Sequence, residues 1–235
     1  MVSFSPQRLM VVHAHPDDES LFTGHIIAEA LSKGAEVKLV TLTRGERGQS
    51  QNPTLRPLNS DPSQMAEYRS NLLRNALEAF PGLKHEFFGI RSYLETDQES
   101  VGLGRITSPD PLYNLTLTGS GVKVVRDELI PVLKKFRPDS VVTLSGRNSH
   151  SDHKLSFRAV RSAIRALKAS KPPRHWVVVE PGHKHDVKVG SSETEAQKRK
   201  AIAAYSDFVT IKSTTYDYGT GDIKFSDPEK LRLVS

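Results

Sequence analysis

Two histidines and three consecutive acids stand together in HAHPDDESL, residues 13–21, and two more histidines bracket an aspartate in GRNSHSDH, residues 146–153. Imidazole and carboxylate groups suit a borderline divalent ion. Zinc accepts such a nitrogen and oxygen set, and a catalytic zinc usually takes three protein ligands and keeps one position for water. A tight turn would bring His15 and Asp18 onto one ion and leave Asp17 beside it unligated. A third ligand has to come from elsewhere, and the second cluster offers His150 and His153. Purely structural roles are also open to both stretches. Pro16 suits the first turn of a helix, where Asp17, Asp18 and Glu19 would complement the positive end of the dipole, and Ser151 or Asp152 could cap the helix after the second cluster.

The elements around the clusters indicate how they could meet. Strand-like runs recur as LMVVHA (9–14), VKLVTLT (37–43), HEFFGI (85–90), SVVTLS (140–145) and HWVVVE (175–180). Helical patterns fall between them at about 19–33, closed by Gly34, and at 63–80, 121–136, 153–169 and 193–205. This alternation predicts an α/β fold, a single-domain Rossmann-like sheet of mostly parallel strands with helices on both faces. Each histidine cluster follows a strand and precedes a helix. Doubly wound sheets bind ligands at the carboxyl ends of strands where the strand order reverses, which places the metal site at the ends of strands 1 and 4. Arg44, Glu46 and Arg47, after the second strand, should border the same crevice. Two long polar connections, 44–62 and 91–120, read as walls or lids. The tail after 206 has no periodicity beyond what short strands would need.

Composition narrows the chemistry. At 235 residues and 37% apolar content the chain can bury one sizeable core, so a single domain over 1–235 is expected. It has no cysteine, which excludes disulfides, thiolate nucleophiles and thiolate zinc sites. The N-terminal stretch lacks a signal-peptide layout and no run approaches 18 apolar residues, so a soluble cytoplasmic protein without membrane insertion is expected. The net charge of +6 comes from 33 basic and 27 acidic residues, scattered except for a run at Lys198, Arg199 and Lys200. With 7% aromatic content, that distribution does not argue for a nucleic-acid partner.

AHPDDE followed by a distant HPDH-like motif resembles the zinc-dependent N-acetylglucosaminyl de-N-acetylases. The likeness continues through GAEVKLVTLTRGERGQ, the dipeptide Asn52-Pro53, AEYR at 66–69, FRPD before the fourth strand and the late KAIAAYSD, and is similar to the mycothiol-pathway deacetylase and conjugate-amidase branch. The resemblance implies Zn2+ on His15, Asp18 and His153, with Asp17 as general base, His150 polarising the amide, and Asp152 orienting His150. Arg69 matches an arginine that reaches substrate in that branch, although an arginine near a helix start is by default solvated. Arg147 beside the second motif could bind phosphate or carboxylate. The implied substrate is a small N-acyl amino sugar. An amidase acting on a thiol conjugate or another N-acyl compound is the alternative within enzymes, and a non-catalytic metal-binding protein is the alternative outside them. The oligomeric state is left open, a homo-oligomer included. Three positions depart from the family pattern: Ser151 stands where proline is usual, Leu72 where glutamate is frequent, and His25 follows Gly24 where a small residue is usual. His25 is expected to face solvent, and His183 and His185 read as surface residues.

Overall fold

Strand β1 (Arg8–His13) shows why the sheet is covered on both sides: Leu9 and Val11 pack into one apolar cluster, Met10 and Val12 into the other. A half-covered strand would alternate apolar with polar residues, whereas this one is apolar on both faces because both are buried. The computed structural model describes residues 3–50, 52–88, 116–147, 150–180 and 182–234. Around β1 lie β2 (Glu36–Thr41), β3 (Lys84–Phe87), β4 (Ser140–Leu144) and β5 (Arg174–Val178), all parallel, in the order β3-β2-β1-β4-β5. The sheet continues through β10 (Glu229–Leu233), antiparallel to β5, to β6 (Val187–Val189) at the edge. The mostly parallel sheet read from the sequence is therefore present, and its order reverses between β1 and β4.

Helices α1 (Asp18–Ser32), α2 (Pro62–Leu77) and α5 (Ser192–Ala203) cover one face, through Ile26, Leu73 and Ile202 among others. On the opposite face lie α3 (Leu117–Phe136) and α4 (Ser151–Ala166), through Leu129 and Val160. Gly34 adopts φ +79°, the left-handed conformation expected after the first helix. In α3 the regular helix starts only after Gly121, whose φ of 78° breaks it from the turn before. Beyond 206 the tail adds a small antiparallel sheet of β7 (Thr210–Ile211), β8 (Thr215–Asp217) and β9 (Ile223–Lys224) before β10 joins the main sheet. Loop 44–62 contains one 3-10 turn, Arg56–Ser60. The end of the third predicted strand, residues 89–90, and most of the second predicted loop, 91–115, lie outside the described residues. No helix among the described residues is long and apolar enough to cross a membrane.

The covering tail overturns one expectation. His25 is fully buried rather than solvent-facing: its Nδ1 lies 2.7 Å from Thr194 Oγ1 and its Nε2 2.8 Å from the Phe225 carbonyl oxygen, which ties α1 to α5 and to the tail. Leu72, the residue in place of a frequent glutamate, packs in the core beside α5 and the sheet. In the basic run, Lys198 is also buried and pairs with Glu229 at 2.7 Å.

Candidate metal centre

The turn after β1 builds half of the site. α1 begins at Asp18, Asp17 is its N-cap residue, and Pro16 stands before the cap instead of inside the first turn. Asp17 has φ 109° and ψ −33°. Such a backbone conformation costs a non-glycine residue about 1–3 kcal/mol, so its surroundings must hold it. The Asp17 amide donates to Glu19 Oε2 at 3.0 Å, and Arg69 donates to Asp17 Oδ2 at 2.8 Å. Arg69 also donates to the carbonyls of Pro16 and, at 3.2 Å, Gly45. Glu19 is itself fully buried and accepts from Ser20 Oγ at 2.6 Å and the Tyr205 hydroxyl at 2.9 Å. The same turn folds Asp18 back, so that its Oδ2 accepts the amides of Ala14 and His15 at 3.2 and 3.0 Å.

The other half follows β4. Neither Ser151 nor Asp152 caps α4: the N-cap is His150, whose Nδ1 accepts the Asp152 amide at 3.2 Å. With Nδ1 accepting, the neutral imidazole carries its hydrogen on Nε2, which makes that nitrogen a donor. The Asp152 carboxylate lies against His15 Nε2 at 3.2 Å and accepts from Thr118 Oγ1 at 2.6 Å. The resemblance places Asp152 behind His150; its carboxylate also stands against His15, and its backbone amide donates to His150. Because a carboxylate only accepts, His15 carries hydrogen on Nε2 and turns the lone pair of Nδ1 toward the cluster.

The donors converge. His153 Nε2 lies 3.3 Å from His15 Nδ1 and 3.2 Å from Asp18 Oδ1, and His15 Nδ1 lies 3.8 Å from Asp18 Oδ2. Donors around a four-coordinate zinc, with bonds of about 2.0–2.1 Å, stand roughly 3.3 Å apart, so this triangle fits the ion. His15, His150 and His153 form a wider set, their nitrogens within 4.8 Å of one another. All of these groups are buried except His150, which is half-buried. Burial opposes the charge on Asp18, yet the imidazoles of His153 and His15 hold its carboxyl far below the usual carboxylate range. Burial pushes the Asp17 carboxyl up to about 7 against the pull of Arg69.

The expected rim residues divide. Arg69 is buried rather than solvated and stacks over Phe208 at 5.3 Å. Arg44 is half-buried over the Phe87 ring at 4.4 Å, and the buried Glu46 accepts its amide at 3.1 Å. Arg147 is exposed and borders a shallow cleft with Glu180 and His183. Glu19, Tyr205 and Thr118 were not among the expected site residues. Glu19 reads from the sequence only as another acid at a helix start, and Thr118 sits in a stretch with no pattern.

Fold and site together define a class: a doubly wound α/β protein with a nitrogen and oxygen donor cluster at the reversal of its strand order. The family model described as GlcNAc-PI de-N-acetylase matches residues 10–164, and the chain belongs to that family. Among curated relatives, a protein of Actinosynnema mirum named 1D-myo-inositol 2-acetamido-2-deoxy-alpha-D-glucopyranoside deacetylase is 36% identical over 169 residues, 71% of this chain and 58% of the relative. Its counterpart of the same name in Kineococcus radiotolerans is 35% identical over 69% of this chain and 45% of the relative. The chain thus spans about half the length of the curated relatives it matches. Solved structures share the fold at lower identity. N,N'-diacetylchitobiose deacetylase from Pyrococcus horikoshii aligns with TM-score 0.65 and 18% identity over 97% of this chain and 84% of that one. GalB, a 4-carboxy-2-hydroxymuconate hydratase from Pseudomonas putida, aligns with TM-score 0.63 and 19% identity over 97% and 96%. The zinc-inhibited form of the teicoplanin deacetylase Orf2 aligns with TM-score 0.59 and 20% identity over 85% and 84%.

Proposed function

We propose that the chain is a zinc-dependent hydrolase that removes an N-acetyl group from a small glucosamine-containing substrate. The observation that carries this reading is the triangle of His15 Nδ1, Asp18 and His153 Nε2 at 3.2–3.8 Å, with the Asp17 carboxylate held next to it by Arg69. This set is tighter than the three-histidine one and leaves His150 to face the substrate. The family membership and the names of the curated relatives favour an amino-sugar amide over the amidase alternative. The expected absence of a nucleic-acid partner, a single domain and a cytoplasmic location belong to the same reading.

When bound, zinc supplies Lewis acidity and lowers the pKa of water toward about 7. The chain's own residues do the rest. Asp17 takes the proton of the attacking water and passes it to the departing amine. The Nε2–H of His150 donates to the oxygen on which charge develops, a contribution of about 3 kcal/mol for a single such donor. Asp152 keeps His15 in the tautomer whose Nδ1 is available. Arg69 fixes the Asp17 carboxylate.

The test is amine release from a panel of N-acetylglucosamine conjugates, run beside a measurement of metal content. Metal-loaded protein is expected to release amine, chelated protein is not, and Asp17→Asn is expected to keep the metal while losing nearly all turnover. His153→Ala should lose both metal and turnover. Full activity in Asp17→Asn would remove the assigned base, and failure to bind metal would remove the site.

A further inference from the structure

A cleft of about 280 Å³ opens on the β5 side of the donor cluster, and nothing in the proposed chemistry uses it. Phe22 of α1 stands between the two: its ring centroid is 6.4 Å from that of His153 and 5.4 Å from that of Tyr218. Leu144, at the end of β4, and Val178 and Val179, at the end of β5, form the floor. Tyr216 and Tyr218 form the outer wall, in the part of the chain beyond the segment the family model covers. Lys198 and Glu229, which also border the cleft, neutralise each other at 2.7 Å. The cleft is largely apolar, with the charged Glu180, Asp227 and Lys230 also on its border, and one ring, Phe22, separates it from His153.

The opposite side of the cluster is polar. Arg69, Arg44 and Glu46 lie toward β2, and β2 and β5 flank the β1–β4 pair on opposite sides in the strand order. An amide carbonyl held at the cluster carries two substituents that diverge from it, the acyl chain and the amino sugar. If the hydroxyl-rich sugar lies on the polar side, the acyl chain points past the edge of Phe22 toward this cleft. Water takes about 30 Å³ in the liquid, so the cleft has room for about nine waters, or for a chain of several carbons, where an acetyl group would place one methyl.

We propose that this cleft is the acyl subsite and that it accepts an unbranched acyl chain longer than acetyl. The proposal rests on the amide-hydrolase reading, and the experiment separates the two. Turnover is measured with N-acetyl-, N-butyryl- and N-hexanoylglucosamine and with octyl N-acetylglucosaminide, whose apolar group is on the sugar side. Binding of the acetyl and hexanoyl compounds to metal-loaded Asp17→Asn is measured by calorimetry. kcat/KM is expected to rise by about fourfold per added methylene along the acyl series, the factor that burying one methylene supplies. Val178→Phe, which fills the floor, should lower the hexanoyl-to-acetyl ratio by about tenfold or more. Tyr218→Ala, which opens the wall, should flatten the series and carries the test if Val178→Phe does not fold. Tighter hexanoyl binding that Val178→Phe abolishes, without turnover of any compound, would support the subsite while sinking the hydrolase reading. Turnover that is equal along the acyl series, or that rises only with the octyl glucosaminide, would overturn the subsite and leave the hydrolase standing. Weak, equal binding without turnover would overturn both.

Discussion

Replacing Glu19 tests how the strained turn at Asp17 is held. Its carboxylate is fully buried and accepts three hydrogen bonds, from the Asp17 amide, Ser20 and Tyr205. Burial raises its pKa, so the charge is costly where it stands. Two substitutions separate the charge from the acceptor. In Glu19→Gln the side-chain oxygen can still accept the Asp17 amide, and the hydroxyls of Ser20 and Tyr205 can rotate to accept from the new NH2 group. The loss of charge-assisted bonding is then offset by relief of desolvation, and the net change should stay within about 1 kcal/mol. In Glu19→Leu the Asp17 amide and the Ser20 and Tyr205 hydroxyls lose their acceptor. Three buried donors left unsatisfied cost about 1–3 kcal/mol each, or about 6 kcal/mol together. For a chain of this size that lowers Tm by about 18 °C, at about 2–4 °C per kcal/mol. Urea denaturation followed by linear extrapolation would read the same difference as a lower midpoint with an unchanged slope. On the activity side, Glu19→Leu should lower kcat more than it raises KM, because Asp17 is mispositioned, while metal content is unchanged. A Glu19→Leu protein as stable as Glu19→Gln would refute the reasoning, since it would mean that the amide and hydroxyls find other partners and the carboxylate supports nothing.

Three other perturbations follow from the same contacts. His175 is buried against Thr143 Oγ1 at 2.9 Å, and burial lowers its pKa to about 3; because the unfolded chain takes up this proton near pH 6.5 and the folded one does not, its stabilising effect is complete above that pH and is lost as pH falls toward 3. At pH 4.5 the loss is about 3 kcal/mol, and stability curves of His175→Phe should be flatter than wild type over pH 4.5–7. Lys198→Met would strand the Glu229 carboxylate, which also accepts the amides of His25 and Ile26 at 3.1 and 2.9 Å, and should destabilise by about 3–5 kcal/mol in urea titration. Gly45 has φ +69° and a Cβ there would lie 2.5 Å from Arg69 Nη1, so Gly45→Ala should push Arg69 off Asp17 and lower kcat by about tenfold or more with metal retained.

Different parts of the site were readable to different degrees, for physical reasons. His15, Asp18, His150 and His153 stand out because strand, turn and helix signals all occur within a few residues of them, so local sequence alone puts them at strand ends. The β1–β4 crevice followed from the alternation of elements. His25 is buried where the sequence predicts a solvent-facing residue. In the structure the tail closes over it, and a lone histidine cannot announce from sequence that Thr194 and Phe225 will meet it across about 170–200 residues of chain. The same distance hid Tyr205 behind Glu19 and Tyr218 behind Phe22. Asp152 is legible as a partner of an imidazole, but that its carboxylate also reaches His15 depends on how α4 packs against β4 and α3 rather than on the HSDH spacing.

Overall resemblance does not rank the reactions this fold can carry. The hydratase GalB aligns over 97% of this chain, as N,N'-diacetylchitobiose deacetylase and further structures of the teicoplanin deacetylase do, at a similar identity. A shared sheet places ligands at the same strand ends whatever the chemistry, so function has to be argued from the groups found there. On the proposed reading those groups divide the labour of an amide hydrolysis. Three donors are spaced for an ion, one carboxylate is kept beside them by an arginine instead of joining them, and one imidazole has its donor nitrogen fixed by a backbone amide. The position of Asp17 is the most telling of these, because its backbone is strained and two side chains, Glu19 and Arg69, hold it there. A carboxylate needed only as a ligand or a helix cap could adopt a relaxed conformation, so the strain at Asp17 favours the proposed proton-transfer role more directly than the fold does.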